Sequence, residues 1–425
     1  MAVGPDADDP TDSLNLEAAL LVALSSLPGL GPATVWQCHR QGEAQRAWSA
    51  VSGGRPGANR VLAAPVGRMG DPAVARLVEA ARSLDPMTEL SRHRAHDRRV
   101  LVHGRAGYPD RLHHDPAPPA VLFAEGDANV LSQPTVAVVG TRNATRAGRE
   151  LAVRLGAELA EAGASVVSGL ALGIDGSAHQ GALEHPRRPR GGEPTTLGSA
   201  AAAAAATTGG AQGTAAGPGG PVGVIASGLD IAYPRRHAAL HRQVAAGGLL
   251  VSETPLGHRP VGWRFPARNR IIAGLADAVV VVESRSAGGS MLTVKEALDR
   301  GVDVLAVPGH PTAPAASGTN DLIFDGATIV RSTDDVLHAV GLGGRAPSGP
   351  RRERAETATL ASRSVLDVLG HTPAALSEIV TRTGLDLGEV SRALVELEAT
   401  GRVVRSAGWY ERCSSGGDPV RGKVP

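Results

Sequence analysis

The chain reads as an α/β protein: a Rossmann-like parallel sheet with helices on both faces, flanked by a small N-terminal α-helical domain and a C-terminal winged helix. Three observations carry that reading. Between about residues 135 and 307, short runs rich in Val, Ile and Leu alternate with amphipathic stretches, as expected for strands buried on both faces and joined by crossover helices. Ahead of this lie helical patterns broken by a Gly/Pro hairpin. Behind it, a Gly/Pro/Arg-rich stretch leads to three helical patterns and two short strands. The chain has 425 residues, 42% of them hydrophobic, and a mean hydropathy of -0.05. That is material for about two or three domains and excludes a chain disordered throughout.

Residues 1–13 are polar and acidic and read as a flexible tail. Residues 14–95 read as a helical domain resembling a SAM-like or helix-hairpin-helix unit. Its helical pattern from Leu16 to about Trp48 is interrupted by Leu27-Pro-Gly-Leu-Gly-Pro-Ala-Thr-Val35. Such a hairpin can aim backbone N–H groups at a phosphate, and a plain helix–helix connection fits the same spacing. Residues 52–72 read as loop, followed by a short helix near 72–92 and by Val100-Leu-Val-His103.

The Rossmann-like domain is expected over 100–335. Its strands are predicted at Thr135–Val139, Ala164–Val167, Val222–Ala226, Leu249–Ser252, Ala278–Glu283 and Val302–Val307. Helices are predicted near 146–162, 174–185, 235–246, 268–275 and 290–300. Leu151, Leu155 and Leu159 form a core-facing stripe on the first. Residues 186–221 lose all periodicity and read as a low-complexity insertion in a surface loop. A linker is expected at 341–357, a winged helix at 358–412 and a flexible tail at 413–425. The third helix of the winged unit carries Glu389, Glu396 and Glu398 against Arg392, which suits a protein contact at least as well as a duplex.

Composition narrows the function classes. The 43 Lys+Arg and 42 Asp+Glu balance to +1, so bulk charge does not demand a polyanionic partner. Every cation except Lys295 and Lys423 is Arg, in keeping with a GC-rich coding bias. Cys38 and Cys413 offer neither a disulfide framework nor metal-ligand spacing. No window approaches the roughly 20 apolar residues of a membrane span, and the acidic start lacks the features of a secretory signal. The expectation is a cytoplasmic protein with no membrane association, no metal and no cofactor.

Chemistry concentrates at three places. The first strand-to-helix turn, Gly140-Thr-Arg-Asn-Ala-Thr-Arg-Ala-Gly148, has Arg142 where a dinucleotide fingerprint needs its second Gly, which disfavours NAD or FAD. Arg142 still offers a forked cation to a phosphate. The second turn, Ser168-Gly-Leu-Ala-Leu-Gly-Ile-Asp175, sets Ser168 and Gly169 beside the first. In it Asp175 reads as a helix cap rather than as a catalytic partner of His179. Residues 256–276 then hold Arg259, Arg264, Arg268 and Arg270 with no carboxylate, interleaved with Trp263 and Phe265. Arginines neutralise phosphates and an exposed ring stacks on a base, a combination suited to a single strand. An enzyme reading competes: Ser286-Ala-Gly-Gly-Ser-Met-Leu-Thr-Val-Lys-Glu296 resembles the loop of Rossmann-like nucleotide phosphoribohydrolases, but its Thr293 and Glu296 fall one residue late.

Taken in order, Gly140-Thr-Arg142, Ser168–Asp175 with Ala178-His179, Ser227-Gly-Leu-Asp-Ile-Ala-Tyr-Pro234, Ser252-Glu253, Phe265-Pro-Ala-Arg-Asn-Arg-Ile-Ile-Ala-Gly274, Glu283, Gly289-Ser290 and Val307-Pro-Gly309 resemble the bacterial DNA-processing protein A family, DprA or Smf. The resemblance covers roughly residues 100–330, and the flanking units resemble that family's outer domains. It implies a non-enzymatic protein that binds single-stranded DNA, dimerises through its Rossmann-like domain and loads RecA during natural transformation. Carried over by motif, Gly140, Thr141 and Arg142 would hold phosphate, Ser168 and Gly169 would line the pocket, and Phe265 would contact a base. Arg264, Arg268, Asn269 and Arg270 would lie nearby, and Asn269 and Arg270 could equally be structural. Where some members of the family place a lysine before Phe265, this chain has Gly262, Trp263 and Arg264. The dimer surface is expected late in the domain, about 300–330.

Overall fold

A computed structural model describes residues 10–96, 98–184, 219–343, 360–369, 373–400, 402–406 and 408–412. The expected insertion therefore lies almost entirely outside the described residues, as do the tail at 413–425 and most of the linker. The chain divides into two compact units, residues 1–346 and 347–425.

In the first unit six helices come first: α1 (Pro10–Ser26), α2 (Pro32–Arg40), α3 (Ala44–Ser52), α4 (Ala63–Gly67), α5 (Asp71–Ser83) and α6 (Pro86–Arg94). α1 already starts at Pro10, inside the stretch expected to be tail. The single helix expected near 72–92 is two, because Asp85 caps a new one by accepting from the Thr88 N–H at 2.8 Å, with Pro86 at its first position. The stretch 52–72, expected to be loop, holds α4. Cys38 is buried in this region, and burial pushes its thiol up to about 11.

The sheet follows: β1 (Arg98–Val102), α7 (Asp110–His113), β2 (Val121–Gly126), β3 (Thr135–Val139), α8 (Arg146–Glu161), β4 (Ser165–Ser168), α9 (Ile174–Leu183) and β5 (Pro221–Ile225). It continues with α10 (Ala238–Gly247), β6 (Leu249–Ser252), α11 (Arg264–Leu275), β7 (Ala278–Val281), α12 (Ser290–Leu298), β8 (Asp303–Ala306), α13 (Ser317–Phe324), β9 (Thr328–Ile329) and α14 (Thr333–Ala339). The nine strands run in the order β1-β2-β6-β5-β4-β3-β7-β8-β9. β3 to β9 are parallel, while β1 and β2 extend the sheet antiparallel beyond β6.

Alternation along β3 explains the layers. Val136 and Val138 pack with α8, α9 and α14 on one face, and Ala137 and Val139 with α11, α12 and α13 on the other. The N-terminal helices do not keep a core of their own. Leu21, Leu24 and Leu90 join Phe123 and Leu250 of the sheet in one buried cluster, so the helical region expected over 14–95 is fused to the α/β body.

The second unit holds α15 (Leu360–Leu369), β10 (Ala374–Ala375), α16 (Leu376–Thr383), α17 (Leu387–Ala399), β11 (Val403–Ser406) and β12 (Trp409–Arg412), with the strands in the order β10-β12-β11. This is the expected winged helix. Asp386 and Glu389 form a capping box at the start of α17, so Glu389 serves the helix itself.

His179 on α9 ties helix to sheet. It is fully buried, and its Nε2 donates to the Val222 carbonyl at 3.1 Å while Nδ1 has no partner among the described residues. Burial holds its pKa down from 6.5 to about 4. Above 6.5 folded and unfolded imidazoles are both neutral and the stability is complete. As pH falls from 6.5 toward 4 the unfolded chain takes up a proton the folded one refuses, which removes up to ~3 kcal/mol. Urea unfolding of the wild type should weaken across that window, and His179→Gln should flatten the loss. An equal slope in both proteins contradicts the assignment.

Candidate nucleic-acid interface

The parallel strands end on one side of the sheet, and the loops leaving β3, β4 and β5 meet the start of α11 there. Between them lies a cleft of about 470 Å³, lined by Arg142 from the first loop, Gly169, Ala171 and Leu172 from the second, Ala226 and Tyr233 after β5, and Phe265. None of the described residues lining it is acidic.

The first loop is held from beneath. Glu283, just after β7, accepts from the Thr145 N–H at 2.9 Å and from the Thr145 hydroxyl at 2.5 Å. The same hydroxyl caps α8 by accepting from the Gly148 N–H at 3.0 Å. The Thr141 N–H donates to the Glu283 carbonyl at 2.7 Å, and the Thr141 hydroxyl accepts from the Asn143 N–H at 3.2 Å. Gly140 and Thr141 thus shape the turn, and Arg142 is left exposed at its tip. The Arg142 guanidinium sits 5.3 Å from the centroid of the Phe265 ring, within range of a cation–π attraction. Tyr233 packs on the same ring at 5.4 Å.

The second loop is tightly built. Leu170 takes a positive φ of 53° and is buried, a strained backbone that the surroundings must enforce. Gly173 has φ 80°, and a Cβ there would collide with the Thr141 carbonyl. Asp175 does not cap α9, whose N-cap is Gly173. Instead its buried carboxylate turns back to accept from the Gly169 N–H at 3.1 Å. Burial pushes its pKa up, and the positive charge of Arg268 opposes that rise.

The expected site residues separate into two groups. Ser168 does not line the cleft: it is fully buried and donates to the Val138 carbonyl at 2.6 Å. Arg268 is buried too. One guanidinium nitrogen donates to the Gly169 carbonyl at 2.9 Å and also to the Val224 carbonyl, while its Nε has no partner among the described residues. A Cβ on Gly169 would collide with that guanidinium. Asn269 is buried in the same helix. Arg270 is committed to Glu253, with one nitrogen 2.7 Å and 2.5 Å from the two carboxylate oxygens, and to the Ala117 carbonyl at 2.6 Å. Arg142, Gly169 and Phe265 line the cleft, and the buried Arg268 reaches its wall. Arg264 stands beside it, donating to the Arg259 carbonyl at 2.8 Å with its guanidinium 5.3 Å from the Trp263 ring.

Tyr233 was not expected at the site. Its signal was its place in the Ser227–Pro234 motif, in a chain with 3 tyrosines. In the loop with phosphoribohydrolase-like residues, Thr293 is buried and Glu296 pairs with Arg300 at 2.6 Å, so neither side chain faces the cleft.

A family model described as DNA recombination-mediator protein A matches residues 99–191 and 204–341, and one described as DprA winged helix domain matches 349–408. Protein Smf of Synechocystis is 29% identical over 94% of this chain and 99% of its own. Protein Smf of Escherichia coli is 32% identical over 72% of this chain and 75% of its own. Among solved structures, the DNA processing protein A of Streptococcus pneumoniae aligns with a TM-score of 0.55 at 26% identity, covering 78% of this chain and 98% of that one.

If Arg268 is a structural cation, Arg268→Ala should lower the unfolding free energy by about 3–5 kcal/mol by stranding buried groups. Asp175→Ala should also destabilise, and the double variant should cost clearly less than the sum. Additive costs in urea titrations would refute the coupling.

Proposed function

The chain belongs to the DNA recombination-mediator protein A family, and from that premise we propose that it binds single-stranded DNA in the cleft lined by Arg142 and Phe265 and acts as a recombination mediator without chemistry of its own. In this reading the bound strand is handed to RecA, in natural transformation or in general recombination, by a cytoplasmic homodimer.

The observation that carries the reading is the stacked pair itself. Arg142 is exposed, Phe265 is half-buried, and the two face each other at 5.3 Å over a cleft free of carboxylates among its described lining. A base stacks on Phe265, against which Tyr233 also packs, and Arg142 turns from the ring to neutralise the adjoining phosphate. The start of α11 adds its dipole. Arg264 lies one residue before Phe265 and meets the next phosphate as the strand leaves.

For the homodimer, the supporting feature is the far edge of the sheet. The two-residue edge strand β9 carries Ile329, 41% exposed, and Phe324 at the end of α13 is 92% exposed. An unpaired parallel edge beside exposed apolar side chains suits pairing with a second copy.

Titration with an oligothymidylate should show steep weakening with salt. Arg142→Ala should reduce the slope by about 0.7, one phosphate on a single strand, and Phe265→Ala should cost about 1–3 kcal/mol. The pair Arg142→Ala and Arg264→Ala together should abolish binding. Salt-insensitive DNA binding with tight mononucleotide binding would overturn the reading. Phe324→Glu should shift the protein toward monomer in sedimentation while leaving its fold intact; an unchanged dimer would move the interface elsewhere.

A further inference from the structure

A second groove, of about 570 Å³, lies on the other side of the α11 start. It is lined by Trp263 and Arg264 and by Leu30 and Pro32, at the start of α2. Ile225, Ala226 and Arg268 line both this groove and the Phe265 cleft, so the two hollows adjoin at the end of β5.

We infer that this groove is a second nucleotide subsite, in which Trp263 stacks on a base of the same single strand after it has left the Phe265 cleft. The inference rests on the proposed function and extends it: the helical hairpin becomes the outer wall of the DNA path. Trp263 is 53% exposed, so part of its ring is open to a ligand. Its partner is a guanidinium at 5.3 Å, so a base stacked on the free face of the indole would have Arg264 beside it for the adjoining phosphate. Arg259 is exposed next to them, and its carbonyl already orients Arg264. Glu253 is the carboxylate among the described residues lining the groove, and Arg270 compensates its charge through two contacts. An anionic strand therefore meets a wall whose uncompensated charge is positive.

The test compares oligothymidylates of about 4 and about 12 nucleotides, short and long relative to common single-strand footprints. In the wild type the longer probe should bind more tightly and quench tryptophan emission more. Trp263→Ala should leave short-probe affinity unchanged and weaken the long probe by about tenfold or more. Trp263→Phe should keep most of the long-probe affinity but lose the extra quenching, which identifies the responding ring. Arg142→Ala should weaken both probes. Equal long-probe affinity in the wild type and Trp263→Ala overturns this inference alone. A wild type that binds neither probe overturns it together with the proposed function.

Discussion

Arg268 carries its guanidinium into the place where β4, β5 and the start of α11 converge, and the geometry of the cleft depends on what it does there. It bonds the carbonyl of Gly169, just past β4, and that of Val224 in β5. In doing so it fixes the helix to the sheet three residues after Phe265. The same charge opposes the pKa rise of Asp175, whose carboxylate holds the Gly169 N–H. Desolvating such a charge is costly, and its removal would leave carbonyls and a carboxylate buried without compensation. The arginine that looks most like part of a DNA-binding run is thus the one that builds the site.

A doubly wound sheet ordinarily takes its ligand where the strand order reverses, which here is between β3 and β7. Glu283 stands at that point, and its carboxylate is engaged by Thr145. A Cβ on Gly148 would strike it, so the helix start and the carboxylate are packed together where a pyrophosphate would sit in a dinucleotide fold. The cleft is displaced toward β4 and β5, and the first loop contributes its arginine rather than a row of glycine N–H groups. That displacement gives the missing second Gly of the fingerprint a structural meaning.

Much of this was legible in the sequence. The central strands and crossover helices fall within a few residues of their predicted places, because a strand buried on both faces leaves an uninterrupted apolar run, as at Thr135–Val139 and Leu249–Ser252. The second turn was located but its chemistry was not: that Ser168 and Arg268 face inward depends on which carbonyls remain unpaired after the sheet has formed, and no local pattern encodes that. The antiparallel extension β1–β2 was missed as part of the sheet because its pairing to β6 joins residues more than a hundred positions apart. The fusion of the N-terminal helices to the body was hidden for the same reason. An apolar helix face shows that something covers it, not that Phe123 and Leu250 do. Tyr233 stood in a recognised motif, and only its packing on Phe265 assigns it to the cleft.

The central claim is one of place: a net charge of +1 hides a local basic and aromatic surface at the ends of the central strands. Hydrogen–deuterium exchange of the full chain with and without an oligothymidylate tests it most directly, because it reports every segment at once. The account predicts slowed exchange at residues 140–145, 168–173 and 258–267, with residues 286–296 unchanged. Protection confined to 286–296 or to the winged-helix unit, with the three loops unaffected, would contradict it.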